Sequence, residues 1–368
     1  MNYFGIDFLI VYAFLAITLV IGIRAGKGIK DIREYALGNK IYGVAILVFT
    51  FLATNIGGGS TLNAASDVFA NGIIGAIASF GVTIQILLFA IFIVPHIKHF
   101  TTYLTIGDVM GSLYGKYSQI LTGILGTLYS FYMIGMQLFV LGIICKSLLG
   151  VHTNWGVMVG GLLLTTYSAY GGIKAVTATD IFQFLVLFIV IPLIAGIALN
   201  KAGGLQAVFT QIPATKLEVF THKKFSFYSS LFLIWSVLPL GLISPPIFQR
   251  LLMAKQPEQL RQQYFILAGL DPLIRVTIMI IGLAGLVLYP QIQSADVMPH
   301  IIKELLPIGL KGFAIAGVLA IVISTADSYL HTAGLLLVHD IIKPIIGRKQ
   351  IFINELKWAQ YRGLLTNP

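Results

Sequence analysis

Four polar side chains, Ser324, Thr325, Asp327 and Ser328, fall within five positions of an otherwise apolar run. Hydroxyls and a carboxylate are all oxygen donors, the set that suits a hard cation. An acid inside an apolar run of membrane length marks an ion or substrate path. The stretch Ala53-Thr54-Asn55-Ile56-Gly57-Gly58-Gly59-Ser60 carries complementary chemistry. Each glycine costs a helix interior roughly 1 kcal/mol against alanine, so three in succession predict an opened helix whose carbonyls have lost their i+4 partners. In hydrocarbon such carbonyls persist only where protein buries them or a polar cavity takes them, and unwound carbonyls coordinate sodium in secondary transporters. Close packing of a neighbouring helix against the glycines is the alternative use of the same residues. Asp180 stands at the start of the apolar run 181–198, where it either caps a helix or lies on a cation path. Asp271 and Arg275, four apart, share a helical face, and inside a membrane such a pair is expected to neutralise itself.

Other chemistries are poorly served. Gly111-Ser112-Leu113-Tyr114-Gly115-Lys116 has only three residues between its glycines and no Ser or Thr after the lysine, whereas a phosphate loop needs four and a hydroxyl. With no other nucleotide motif, an ATP-driven pump is not expected. The histidines are scattered, and His96 with His99 lacks a nearby Cys or Glu to complete a metal site. The lone Cys145 excludes an internal disulfide framework. The expectation is a non-enzyme with no cofactor and no metal but sodium.

Residues of this kind need helices that cross a bilayer to position them. The chain is 57% hydrophobic and 10% charged, with a mean hydropathy of +0.90; soluble domains carry about 25% charged residues. This is the composition of a polytopic membrane protein. Runs of about 20 apolar residues predict spans at 5–24, 43–66, 72–95, 118–149, 154–171, 179–200, 228–249, 263–289 and 311–338. With loops assigned alternately, sixteen of the 24 Lys and Arg lie on one side and seven on the other, Arg275 being inside a span. The positive side is expected to be cytoplasmic, which places the N-terminus outside an inner (cytoplasmic) membrane. The +10 charge then calls for lipid headgroups and no nucleic acid. The first span, with Asp7 as its acid, reads as a peripheral helix, residues 24–40 as a solvated link, and 201–227 as an amphiphilic outer loop. Pro239, Gly241, Pro245 and Pro246 interrupt the seventh span, five spans after the glycine run. Paired interruptions in corresponding places indicate inverted repeats with the binding site between them.

Leu37-Gly38, Ala53 to Gly59, Tyr170-Gly171-Gly172-Ile173-Lys174-Ala175-Val176 through Thr179-Asp180 and Gln183, Gln249-Arg250 with Ala254-Lys255, and Ser324 to Ser328 follow one another in that order. Together they resemble the sodium:solute symporters, the family of proline, pantothenate, choline and sugar symporters, over essentially the whole chain. The resemblance implies an all-α fold of leucine-transporter type, a five-plus-five inverted repeat with a peripheral N-terminal helix. Residues 1–40 would be that helix and its link, 41–200 the first repeat, 201–340 three helices of the second, and 341–368 a cytoplasmic segment. It implies a sodium site made from the carbonyls of Ala53, Ile56 and Ile321 and the hydroxyls of Ser324 and Thr325. Asp180, Asp327 and Ser328 become a candidate second cation site, and Asn55, Gly57, Gly58, Gly59, Ser60 and Asp271 a substrate pathway. The implied function is sodium-coupled symport, by alternating access, of a small organic solute: an amino acid, a carboxylate or an amine. A sugar is disfavoured, because Val237 and Asp271 stand near places where sugar carriers use other polar groups. Family members continue with further helices, so core helices nine and ten are expected to be missing and the second repeat incomplete. A non-transporting remnant, or one part of a split transporter completed by a second chain, is therefore an alternative. Proton coupling through Asp180 and Asp327 is another.

Overall fold

The computed structural model describes residues 5–238 and 244–346, and every regular element among them is helical. Six stretches, 6–25, 74–97, 116–149, 153–201, 257–288 and 310–346, are each long and apolar enough to cross a bilayer. The first span is α1 (Ile6–Ala25), followed by the short α2 (Ile32–Leu37). The second span is two helices, α3 (Val44–Asn55) and α4 (Ala64–Asn71), with the glycine run between them. The third is α5 (Ile74–Leu88). A short α6 (Ile106–Tyr114) then turns at Gly115, φ 88°, into α7 (Lys116–Ile144).

Helix α8 (Thr153–Lys201) has 49 residues. Straight, it would be about 74 Å long, more than twice the roughly 30 Å of a hydrocarbon core. Gly172, at φ 50° and ψ −151°, divides it into two passes. Only glycine fits there: besides the positive φ, a Cβ would come within 2.7 Å of the Tyr35 carbonyl oxygen. The turn expected around 170–180 thus shrinks to one residue. Asp180 lies about two turns inside the second arm and does not cap it.

The seventh span is α9 (Phe225–Val237) and α10 (Pro245–Met253). Pro239 and Gly241 lie outside the described residues. Pro245 and Pro246 do not break a helix as expected; they start α10, where a missing N–H costs nothing. The chain continues through α11 (Pro257–Leu288), α12 (Val297–Leu305) and α13 (Leu310–Leu336). Residues 347–368 lie outside the described residues. Helix α13 is the buried pole of the bundle: 89% of the most apolar window of the stretch 310–346 is inside the protein, against 22% for α1.

Long-range contacts sort the loops into two ends, as alternating spans require. At one end Arg33 donates to the Thr102 carbonyl and Lys40 to that of Thr101, both at 2.7 Å. At the same end Lys174 pairs with Glu34. At the other end Lys224 reaches Asn71 at 2.8 Å and Lys216 bonds the Ala70 carbonyl. There too, Asp7 accepts from the amides of Gly309 and Gly312 at 2.7 and 2.8 Å. The acid of the lipid-facing helix therefore fastens the start of α13. The link 24–40 is solvated only in part: Lys27, Lys30, Asp31 and Arg33 are exposed, but the end of α2 is not. Tyr35, Ala36 and Leu37 are buried, and Gln249 donates to the Ala36 carbonyl at 2.7 Å.

Candidate functional site

The helical path fails at Ile56 (φ −92°, ψ 78°) and resumes at Gly58 (φ −55°, ψ −38°). In a continuous helix the amides of Gly57 and Gly58 would serve the carbonyls of Ala53 and Thr54. Here the Gly58 amide donates to Gln137 Oε1 at 3.2 Å. The Ala53 carbonyl accepts from Ser324 Oγ at 2.8 Å and the Thr54 carbonyl from Thr325 Oγ1 at 3.3 Å. Both hydroxyls also reach the Ile321 carbonyl, at 3.3 and 3.2 Å. An opened helix and an intact one thus bring three carbonyls and two hydroxyls together in a buried, uncharged cluster. The structure brings Ala53, Ile321, Ser324 and Thr325 together; Thr54, absent from the expected set, joins them, and Ile56 is the residue at which the chain leaves the helix. A hydroxyl can donate to a carbonyl or turn a lone pair toward a cation, so the cluster can exchange internal bonds for an ion by rotating two side chains. The glycine run both opens the helix and admits close neighbours. A Cβ on Gly57 would meet Thr325 Oγ1 at 3.0 Å, and one on Gly58 would meet Val140 at 2.9 Å.

One turn further along α13 the expected acids meet a cation that sequence reasoning left in a loop. Asp180, Asp327, Ser328 and Arg250 are all fully buried. Arg250 Nη2 donates to Asp180 Oδ2 at 3.0 Å and to Ser328 Oγ at 2.7 Å, and Nη1 to the Pro246 carbonyl at 3.2 Å. Asp180 also accepts from Thr50, and Asp327 from Tyr167 at 2.6 Å. Thr54 and Ser328 hydroxyls lie 3.0 Å apart, joining this cluster to the neutral one. The site expected for a second free cation therefore already holds a guanidinium. Asp327 has no ion pair of its own among the described residues, and Asp180 Oδ1 and Arg250 Nε have no partner among them. The proline pair that starts α10 was the local signal: it puts Arg250 inside a helix rather than after one.

Beside the break lies a cavity of about 620 Å³ whose lining includes Asn55, Gly57, Gly59, Ser60, Gln137, Trp235, Arg275, Thr325 and Tyr329. Two pathway expectations need correction. Gly58 is not part of the cavity lining; a Cβ there would meet Gln137, Val140 and Val322. Asp271 does not line it either, because its oxygens are taken by Arg275 Nε and Nη2 at 2.7 and 2.8 Å and by Thr83 at 2.5 Å. Arg275 is the member of that pair at the wall.

A model of the sodium:solute symporter family matches residues 35–361. The high-affinity proline transporter PutP of Bacillus subtilis (strain 168) is 23% identical over 352 residues, 90% of this chain and 72% of that protein. A sodium/proline symporter of Staphylococcus aureus (strain JH9) is 23% identical over 366 residues, 93% of this chain and 69% of that one. Among solved structures, the substrate-bound outward-open state of a Na+-coupled sialic acid symporter superposes with a TM-score of 0.89 at 19% identity, covering 99% of this chain and 80% of that one. Mhp1, a nucleobase-cation-symport-1 family transporter in a closed conformation with bromovinylhydantoin bound, gives a TM-score of 0.60 at 17% identity, covering 90% and 72%. At these identities the two structures bear on the fold.

Proposed function

The chain belongs to the sodium:solute symporter family, and on that premise we propose that sodium bound between α3 and α13 drives uptake of a small organic solute from the cavity beside the break. The fold is the all-α inverted-repeat fold of sodium-coupled symporters, and the protein is an integral membrane transporter rather than an enzyme. The observation that carries the site is the pair of hydroxyl bonds from Ser324 and Thr325 to the carbonyls of Ala53 and Thr54. Sodium would replace their protons as the link between the two helices, taking oxygens from Ala53, Ile56, Ile321, Ser324 and Thr325. Thr54, Gly57 and Thr325 also line the solute cavity. An ion that fixes α3 against α13 therefore shapes the solute wall, which is the physical basis of coupling. Release follows when the two helices part.

The solute fits the class of small amino acids, carboxylates and amines. Asn55 Nδ2 is a buried donor without a partner among the described residues, Arg275 offers charge already balanced by Asp271, and Tyr129, Trp235 and Tyr329 supply aromatic wall. The curated relatives named above are proline carriers, so proline is the first solute to assay.

The test is uptake by proteoliposomes containing Ser324→Ala with Thr325→Ala. Sodium for half-maximal uptake is expected to rise by about tenfold or more, equivalent to about 1.4 kcal/mol or more. Unchanged sodium dependence in a folded double variant would overturn the site. A second reading rests on two buried carboxylates, Asp180 paired with Arg250 and Asp327 held by Tyr167 and Ser328: a proton on one of them would balance the cluster and couple transport to pH. Uptake that follows a pH gradient and ignores sodium would select it.

A further inference from the structure

We propose that Asp108, His339 and Asp340 form a site for a divalent transition-metal ion of the zinc class, fastening α6 to the π-helical turn Leu337–Ile342 that continues α13. The three residues offer one imidazole nitrogen and two carboxylate oxygens, all within 4.8 Å of one another. This mixed set suits zinc and its first-row neighbours better than magnesium or calcium, which prefer oxygen alone. A tetrahedral ion with ligands at about 2.1 Å sets its donors roughly 3.4 Å apart, so closing the site requires side-chain motions of about 1 Å.

The observation that points to a ligand is Asp340. Its Oδ1 accepts from Thr105 Oγ1 at 2.7 Å and Gln119 Nε2 at 3.2 Å. Its Oδ2 is buried without a hydrogen-bond partner among the described residues. A buried carboxylate oxygen left unpaired is costly. It lies against Gly107, where a Cβ would collide with the carboxylate, so the glycine is what leaves room for Asp340 beside α6. His339 Nε2 stands 3.0 Å from Asp108 Oδ2. Its Nδ1 faces Lys343 Nζ at 3.5 Å, which leaves Nε2 as the nitrogen on the carboxylate side. Asp108 also accepts from the Leu104 amide at 3.2 Å and from Gln119 at 3.3 Å. Gln119, on α7, thus bonds both carboxylates and orients them, as outer partners of metal ligands do. The Asp108 side chain is 26% exposed, against 6% for His339, so an ion would enter from the aqueous end past Asp108.

The experiment uses the full chain in detergent, stripped with a chelator and titrated with Zn²⁺, Mg²⁺ or Co²⁺. Zinc is expected to raise the midpoint of thermal unfolding by about 5 °C or more, magnesium to leave it unmoved, and cobalt to develop the visible absorption of a tetrahedral complex. His339→Ala and Asp340→Asn should each abolish the zinc shift. The cobalt spectrum requires no variant and keeps the test decisive if either substitution impairs folding. Absence of both the zinc shift and the cobalt bands would reduce the cluster to a hydrogen-bond network and overturn the proposal. So would a zinc shift that survives His339→Ala and disappears in His96→Ala with His99→Ala, which would mean surface binding only.

Discussion

Arg250 shows how one side chain can hold three helices. Its guanidinium spans Asp180 on α8, Ser328 on α13 and the Pro246 carbonyl at the start of α10. An ammonium could supply the charge, but it could not present donors in the same planar fork. A buried ion pair is weak evidence of net stability, yet removing one member strands the other and costs about 3–5 kcal/mol. Arg250→Gln is therefore expected to lower the unfolding midpoint sharply, because Asp180 keeps its burial and loses its paired counter-charge. Combining it with Asp180→Asn should restore part of the loss, since partners in one network are not additive. A single variant that unfolds at the wild-type temperature would show that the cluster is already balanced by something else.

At the scale of elements, what could be read beforehand was whatever violates a local pattern. Three glycines in an apolar run announced the break between α3 and α4, and hydroxyls at 324, 325 and 328 announced the polar turn of α13, because each departs from its own surroundings. Contacts made across the chain were not readable in this way. Arg250 directly follows an apolar run, where membrane loops are commonly basic, and residues 24–40 have the composition of a solvated link, so neither carries a mark of its buried contacts. Asp108 and Asp340 meet only because α6 folds back on the turn that continues α13. Helix α2 makes a testable case. Asp31 caps it by accepting the Glu34 amide at 2.8 Å, and Glu34 then pairs with Lys174 beyond the Gly172 turn. The hydrogen bond from Lys174, aided by the Lys30 amide, holds the Glu34 carboxyl below the ordinary carboxylate range. A depressed acid stabilises the fold above its unfolded value of about 4.3 and ceases to do so as pH falls through the folded value. Glu34→Gln should therefore lower the unfolding midpoint at neutral pH, by an amount corresponding to roughly 1 kcal/mol for so partly exposed a pair. The gap between variant and wild type should close as the pH is taken below that range. A gap that stays constant with pH would assign the effect to packing instead.

For the whole molecule, the two ends are built differently. The end bearing Arg33, Lys40 and Lys174 is closed by α2, by the Lys174–Glu34 pair and by the contacts of Arg33 and Lys40 with residues 101 and 102. The cavity instead reaches from the break toward Asp67, Phe227 and Tyr228, the end where Asn71 meets Tyr228 at 3.0 Å. The excess of basic loops at the closed end predicts a cytoplasmic position for that end, and with it an outward-facing conformation whose N-terminus is outside. Single-cysteine labelling in intact cells separates the alternatives. Cys145 is buried and can be replaced by serine for the background. Phe227 and Lys116 are both exposed, near opposite ends of the bundle. A membrane-impermeant maleimide is expected to modify Phe227→Cys in intact cells, and Lys116→Cys only after permeabilisation. The reverse pattern would invert the topology, and with it the side from which sodium and solute reach the break at Ile56.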